Sequence, residues 1–434
     1  MRRDVALSVL ALAATPLLAV AQTSATACAE DNAGLKLPPG FCAGIFADTV
    51  RNARHMVFAP NGDLIVSMQG RGAGTVILRD PNKSGRAEVQ RQFVSGFSSS
   101  EVALFDGHLY TEALPTGGGR GAALQIAIIR YPYKPGDLTP SGPPDTIVSG
   151  LPGTPGHSTR NFVIAKDGSM YVNVGSQTNS CQETDRVKES RGKNPCTELE
   201  TRAGIWKFDA RKKNQTEATG VHFATGIRNA VGITLSPLDG KLWTTQHGRD
   251  QLGGSPNGDW SFDDRYNSEN PAEELLQVNQ GDDFGWPYCY YSNELHKLVL
   301  APEYGGDGKK VEQCAQKKEP VAAFPGHWAP NALMFYTGSA FPARYKNGAF
   351  IAFHGSWNRT GQPQAGFNVV FQPIANGKAA GPYEIFADGF APNVTSGRGG
   401  GGHRPTGLAQ GLDGSLYVSD DAGGRIYRIV YTGK

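Results

Sequence analysis

Five histidines and a few arginines stand in short loops of one kind. His157 lies in GHSTRNF, Arg228 and Asn229 in GIRNAVG, and His247, Gly248, Arg249 and Asp250 in QHGRD. His327 and Trp328 follow a Pro-Gly; His354, Trp357 and Arg359 share HGSWNR; His403 and Arg404 open HRPTG. Imidazole, with a reference pKa of about 6.5, suits proton abstraction near neutral pH. Arginine presents a planar fork of donors to oxyanions, and tryptophan a face for stacking. Gathered at one point, such a set suits a planar anionic ligand with a base beside it. Residues this far apart along the chain need a fold that gathers them.

The stretch from Gly156 to Ser176 shows how. After the loop around His157, Phe162-Val163-Ile164 runs into a turn at Asp167-Gly168 and returns through Met170-Tyr171-Val172. Two short apolar runs joined by Asp-Gly form a hairpin signal, because both turn residues tolerate positive φ. The same order recurs around Asn61-Gly62, Asp106-Gly107, Asp239-Gly240, Asn347-Gly348 and Asp413-Gly414, each preceded by an outer apolar segment. Further runs follow, such as Thr75 to Leu78, Ile126 to Ile129, Gly204 to Phe208, Val369 to Phe371 and Ile426 to Ile429. Four short antiparallel strands repeated about every 65 residues predict an all-β, six-bladed β-propeller with four-stranded antiparallel blades. The strand near residues 41–46 is then expected to complete the last blade and close the ring. A β-sandwich, or two smaller β domains, would not explain a sixfold recurrence. In a blade, the loops before the inner strand and after the second strand open on one end of the ring. That end collects His157, His247, His327, His354 and His403, five of the nine histidines. Segments 181–196, 250–270 and 290–318 are too long for turns and are expected to cap the ring.

The 434 residues carry a net charge of only +2, which gives no reason to expect a nucleic acid partner. Residues 1–21 combine Arg2-Arg3, a short apolar run and a small-residue exit, the pattern of a cleaved signal peptide. The chain is therefore expected to comprise this peptide, an N-terminal segment 22–36 and a propeller 37–434, secreted or periplasmic, without stable membrane insertion. Six cysteines fit an oxidising compartment and allow 15 pairings. Neighbour pairing, Cys28 with Cys42, Cys181 with Cys196 and Cys289 with Cys314, would staple one loop each. There is no CxxC, CxxCH, DxDxDG, HExxH or Gly-x-Ser-x-Gly, and Gly70 to Gly74 does not make a phosphate loop.

GHSTRNF, KDGSMYV, GIRNAVG, QHGRD, EELLQVNQGDDFGWP, HGSWNR and HRPTGLAQGLDGSLYVSDDAGGRIYRI together resemble the pyrroloquinoline-quinone (PQQ)-dependent glucose/sorbosone dehydrogenase family. HGSWNR is most similar to the sorbosone dehydrogenase branch. The resemblance implies a quinone, PQQ, across the channel mouth with Ca2+ beneath it. His157 falls on the general base, Arg228 and Asn229 on the pair holding the quinone oxygens, and Gly248 and Arg249 where backbone carbonyls hold calcium. His354 stands where relatives carry a cofactor-binding lysine and Arg404 on one of two cofactor arginines, with Trp357 and Arg359 in the same site.

Three departures stand out. Ser176 replaces an aspartate that orients the base, Thr406 replaces the second arginine, and His354 replaces the lysine; Arg359 and His403 are candidates to compensate. They bear more on glucose as substrate than on quinone binding. The implied activity is oxidation of a sugar, a sorbosone-like sugar aldehyde or a polyol by hydride transfer to the quinone, with a separate electron acceptor. The alternative is a non-catalytic propeller that binds carbohydrate or protein at the same rim. A calcium-dependent hydrolase would need inward carboxylates on several blades, where this rim offers His and Arg.

Overall fold

At the expected turns the aspartates act on their own backbone. Asp167, Asp239 and Asp413 accept from the amides of Ser169, Lys241 and Ser415 at 2.9, 3.1 and 3.0 Å. The glycines between them take φ of 91°, 70° and 82°, a region that side chains disfavour. These local devices fix the hairpin register, and the hairpins build the blades. The computed structural model describes residues 28–116, 123–253, 260–392, 394 and 402–433. The expected signal peptide lies outside the described residues.

Six antiparallel sheets follow one another along the chain as a six-bladed propeller. Blade 1 runs Ala53–Phe58, Leu64–Met68, Gly74–Arg79 and Val89–Val94. Blade 3, which carries the His157 loop, runs Phe162–Ile164, Ser169–Val174, Gly204–Asp209 and Val221–Thr225. Blade 6 takes only three strands from the C-terminal end, and Phe41–Ala47 supplies the fourth by pairing with Arg425–Tyr431. The ring therefore closes as expected, joining the two ends of the chain in one sheet. Blade 2 gains Gln215–Thr216, a parallel strand lent by the connection within blade 3.

The core lies between neighbouring blades. Phe41, Phe341, Tyr345, Phe350, Phe371 and Phe386 pack mostly edge to face, which welds blade 5 to the closing strand. Each buried ring of this kind contributes about 2–3 kcal/mol relative to exposure. Nearer the axis the contacts turn polar. His55 donates one ring N–H to the Asn331 carbonyl (2.7 Å) and faces the Glu101 carboxylate with the other nitrogen (2.8 Å), while Asn161 donates to Glu101 at 3.2 Å. Burial would depress the pKa of His55, but Glu101 reverses this and raises it, and blades 1, 2, 3 and 5 meet at this hydrogen-bonded cluster.

All three disulfides have the expected neighbour pairing. Among the described residues, two of the long segments contain regular elements. Segment 290–318 and its flank contain a hairpin of Cys289–Ser292 and Lys297–Leu300, and 250–270 ends in the helix Asp264–Glu269. Tyr290 and Val299 of that hairpin bury against Leu252, a contact available only once the loops meet.

Candidate active site

The loop before blade 3 holds His157 in a fixed orientation. Its Nδ1–H donates to the Ser176 carbonyl at 2.9 Å, with the Ser176 hydroxyl 3.1 Å away. A carbonyl can only accept, so the proton sits on Nδ1 and the Nε2 lone pair stays available. Burial, then the Arg228 charge, depress the pKa of His157 well below 6.5 and keep it neutral. Backbone orientation thus stands in for the missing carboxylate at residue 176. Gly175 makes room for the arrangement: a Cβ there would lie 2.7 Å from His157 Cβ and 2.8 Å from Asn229 Oδ1.

Arg228 leads into the inner strand of blade 4 and is 3% exposed. Its guanidinium donates to the Asn179 carbonyl and side-chain oxygen (both 3.0 Å), the Gly248 carbonyl (2.9 Å) and Asp250 (3.2 Å). Burial would raise the Asp250 pKa, but Arg228 and Arg186 overcome it and hold the carboxylate ionised. Asn358 donates to the other oxygen of Asp250 at 2.6 Å. Asn229 accepts from Asn173 at 3.1 Å, and its carbonyl accepts from the His247 amide. Arg249 turns away to pair with the buried Glu303, leaving only its backbone for any metal work.

Blades 5, 6 and 1 supply the other half. His354 Nε2 meets Asp421 at 2.9 Å, and Arg54 holds the second oxygen of the same carboxylate at 3.0 Å. Arg404 donates to the carbonyls of His354 (2.9 Å) and Gly355 (2.5 Å). Burial lowers the His354 pKa, while Asp421 opposes. His247 ties the halves together: burial, then Arg228, with His354 further away, drive its pKa to about 3. The structure therefore brings His157, Arg228, Asn229, Gly248, His354 and Arg404 into one electrostatically connected rim, and Trp357 stands 40% exposed in the loop after His354.

Arg359 has a different task. Its guanidinium donates to the carbonyls of Ser268 (2.7 Å), Gly326 (3.2 Å) and Pro363 (3.1 Å) and pairs with Glu269 at 2.6 Å. It clamps the end of the short helix onto blade 5. His403 is likewise held between Asp420 and Arg425.

Sequence reasoning missed Arg54, Asn179 and Asp421 as site residues. Arg54 carried a weak signal, since Arg54-His55 and Arg160-Asn161 stand at the same offset from the ends of two inner strands, at Phe58 and Ile164. Asn179 carried no such signal.

The TrAA12-like family profile matches residues 35–432. This chain belongs to the TrAA12-like family. A PQQ-dependent pyranose dehydrogenase of Coprinopsis cinerea is 27% identical over 341 residues, covering 69% of this chain and 43% of that protein. An uncharacterized protein of Borreliella burgdorferi is 28% identical over 278 residues, 63% of this chain and 61% of its own. The family member described here thus spans less than two thirds of either relative's length. The fold matches the holo PQQ domain of the Coprinopsis cinerea enzyme with a TM-score of 0.71 at 21% identity, over 91% of this chain and 97% of that one.

Proposed function

We propose that this TrAA12-like protein is a PQQ-dependent dehydrogenase that oxidises a sugar, a sugar-derived aldehyde or a polyol, with His157 as general base. The observation that carries the proposal is the fixed tautomer of His157, which leaves Nε2 free on a ring that feels the charge of the buried Arg228. The family membership and the PQQ-dependent relative support it.

The rim offers a planar polyanion three arginines, Arg54, Arg228 and Arg404, whose charge Asp250, Asp420 and Asp421 offset in part, and an exposed Trp offers a face. Arg228, Asn229, His354, Arg404 and Trp357 would hold the quinone. Arg359 is not assigned this role, because its bonds tie the short helix to blade 5 and involve none of the other mouth residues. Ca2+ takes six to eight oxygens. The chain offers the Gly248 and Arg249 carbonyls, and Glu274 Oε2, which is buried without a partner beside a void of about 20 Å³ lined by both residues. That set accommodates calcium only if water and the cofactor complete the shell.

The quinone, when bound, supplies the electrophilic acceptor for a hydride, made more electron-poor by calcium. His157 takes the substrate hydroxyl proton at Nε2, a contribution typically worth about 10² to 10⁴ in rate. The Ser176 carbonyl stabilises the imidazolium that forms by accepting from Nδ1–H. Arg228, fixed by Asn179 and Asp250, holds positive charge where negative charge grows. Reoxidation is assigned to a separate acceptor, and the three disulfides fit an exported protein. The test is reconstitution with PQQ and Ca2+ followed by dye reduction against a panel of aldoses, aldehydes and polyols. Quinone binding without turnover on any of them would favour the non-catalytic, carbohydrate-binding reading.

A further inference from the structure

A cavity of about 770 Å³ lies between blades 2 and 3, beside the loop that carries His157. Its lining includes Gln125, Ser149, Pro152, Thr201, Arg202 and Glu217. That volume suits a ligand of monosaccharide size or somewhat larger.

Arg202 is the unusual member. It is 7% exposed, its Nη1 is buried without a partner, and among the described residues no carboxylate pairs with it. Glu198, the acid whose charge acts on it, is engaged elsewhere: its carboxylate accepts from the amides of Gln177 (2.7 Å) and Thr178 (3.2 Å) and from the Thr178 hydroxyl. A second guanidinium compounds the excess. The Arg160 guanidinium is fully buried and donates to the carbonyls of Pro152, His157 and Thr159, while the Arg160 amide donates to the buried Glu112 carboxylate. Burial and the neighbouring Arg202 lower the Arg160 pKa to about 9. Glu198 acts on Arg202, and Glu112 on Arg160, without a direct bond to either guanidinium; a buried guanidinium N–H with no acceptor is costly, and a ligand oxyanion would satisfy it.

Arginine's planar fork matches a carboxylate. Gln125, Ser149, Thr201 and Glu217 surround the rest of the space with groups that hydrogen-bond hydroxyls. A bare inorganic oxyanion would leave most of that lining unused.

We propose that this cavity binds a monosaccharide acid, with its carboxylate on Arg202 and its hydroxyls on Gln125, Ser149, Thr201 and Glu217. The proposal does not depend on the catalytic reading, because it concerns groups outside the quinone mouth.

Calorimetric titration of the mature protein with galacturonate, gluconate, galactose and sulfate tests it. Saturable binding of at least one sugar acid is expected, with galactose about tenfold or more weaker, as the loss of a charge-assisted pair implies. Arg202→Gln should abolish the binding. Gln125→Trp should do the same by filling the cavity edge from an exposed position, leaving Arg202 and the mouth intact. Absence of saturable sugar-acid binding would overturn the proposal, as would sulfate binding equally well or binding that survives in folded Arg202→Gln. Should Arg202→Gln fail to fold, Gln125→Trp decides alone: undiminished binding there places the ligand elsewhere.

Discussion

Asn179 offers the sharpest perturbation of the mouth, because it touches no ligand in the proposed chemistry yet organises two residues that would. Its side chain is 1% exposed and makes three bonds: it accepts from Arg228 Nη2 (3.0 Å) and the Asp250 amide (2.8 Å), and donates to the Asp250 carbonyl (2.9 Å). Asn179→Ala removes all three and leaves the bonds to its backbone carbonyl from Arg228 Nε and Trp286. The charged bond is worth about 1.5–3 kcal/mol and each neutral one about 0.5–1.5, so the variant should lose about 2.5–6 kcal/mol of stability. The charged share alone aligns Arg228, and its loss should weaken quinone binding about ten- to hundredfold. Asn179→Asp keeps the acceptor and should recover much of the quinone affinity, though not the bond to the Asp250 carbonyl. The assays are denaturant unfolding of the apo protein and absorbance titration with PQQ. If Asn179→Ala kept its stability within about 1 kcal/mol and its affinity within about twofold, Arg228 would be positioned by something else and the reasoning would fail.

Four further outcomes follow from the same geometry. Because burial and Arg228 depress the His157 pKa, the base stays neutral through pH 6.5, and kcat/KM should begin to fall only at lower pH; a profile collapsing at or above 6.5 would contradict this. His157 and His327 are both depressed by burial, so the unfolded chain binds more protons than the folded one, and stability should decline as pH drops below about 6.5 toward their folded values, measurable by unfolding at several pH values. Gly175→Ala forces its methyl against His157 and Asn229, and should cost about 1–3 kcal/mol of stability and reduce turnover sharply. Arg359→Ala removes a buried clamp: unfolding should shift by about 3–5 kcal/mol while quinone affinity of the folded protein changes little, and a large affinity loss would return Arg359 to the site.

The blade count was legible because Asp-Gly turns act locally, each bonding its own backbone, and so repeat as sequence. Ring closure by Phe41–Ala47 followed from the order of elements. The rim histidines and His157, Arg228 and Arg404 were legible for the same reason, since their loops recur at fixed places in the blade. Asn179 was not, because its partners, Arg228 and Asp250, lie 49 and 71 residues away and meet it only through a disulfide-stapled loop. The bonds of Arg359 were not legible because three of its partners are carbonyls, which have no side-chain signature. Arg202 escaped notice for a related reason: an unpaired charge is visible only once the surroundings are packed.

The most direct test of the quinoprotein reading pairs two readouts on His157→Gln loaded with PQQ and Ca2+. Absorbance titration should show quinone binding close to wild type, while reduction of the bound quinone by an oxidisable sugar or aldehyde should slow by about 10² to 10⁴. Undiminished reduction in His157→Gln, or no saturable quinone binding by the wild-type protein, would contradict it.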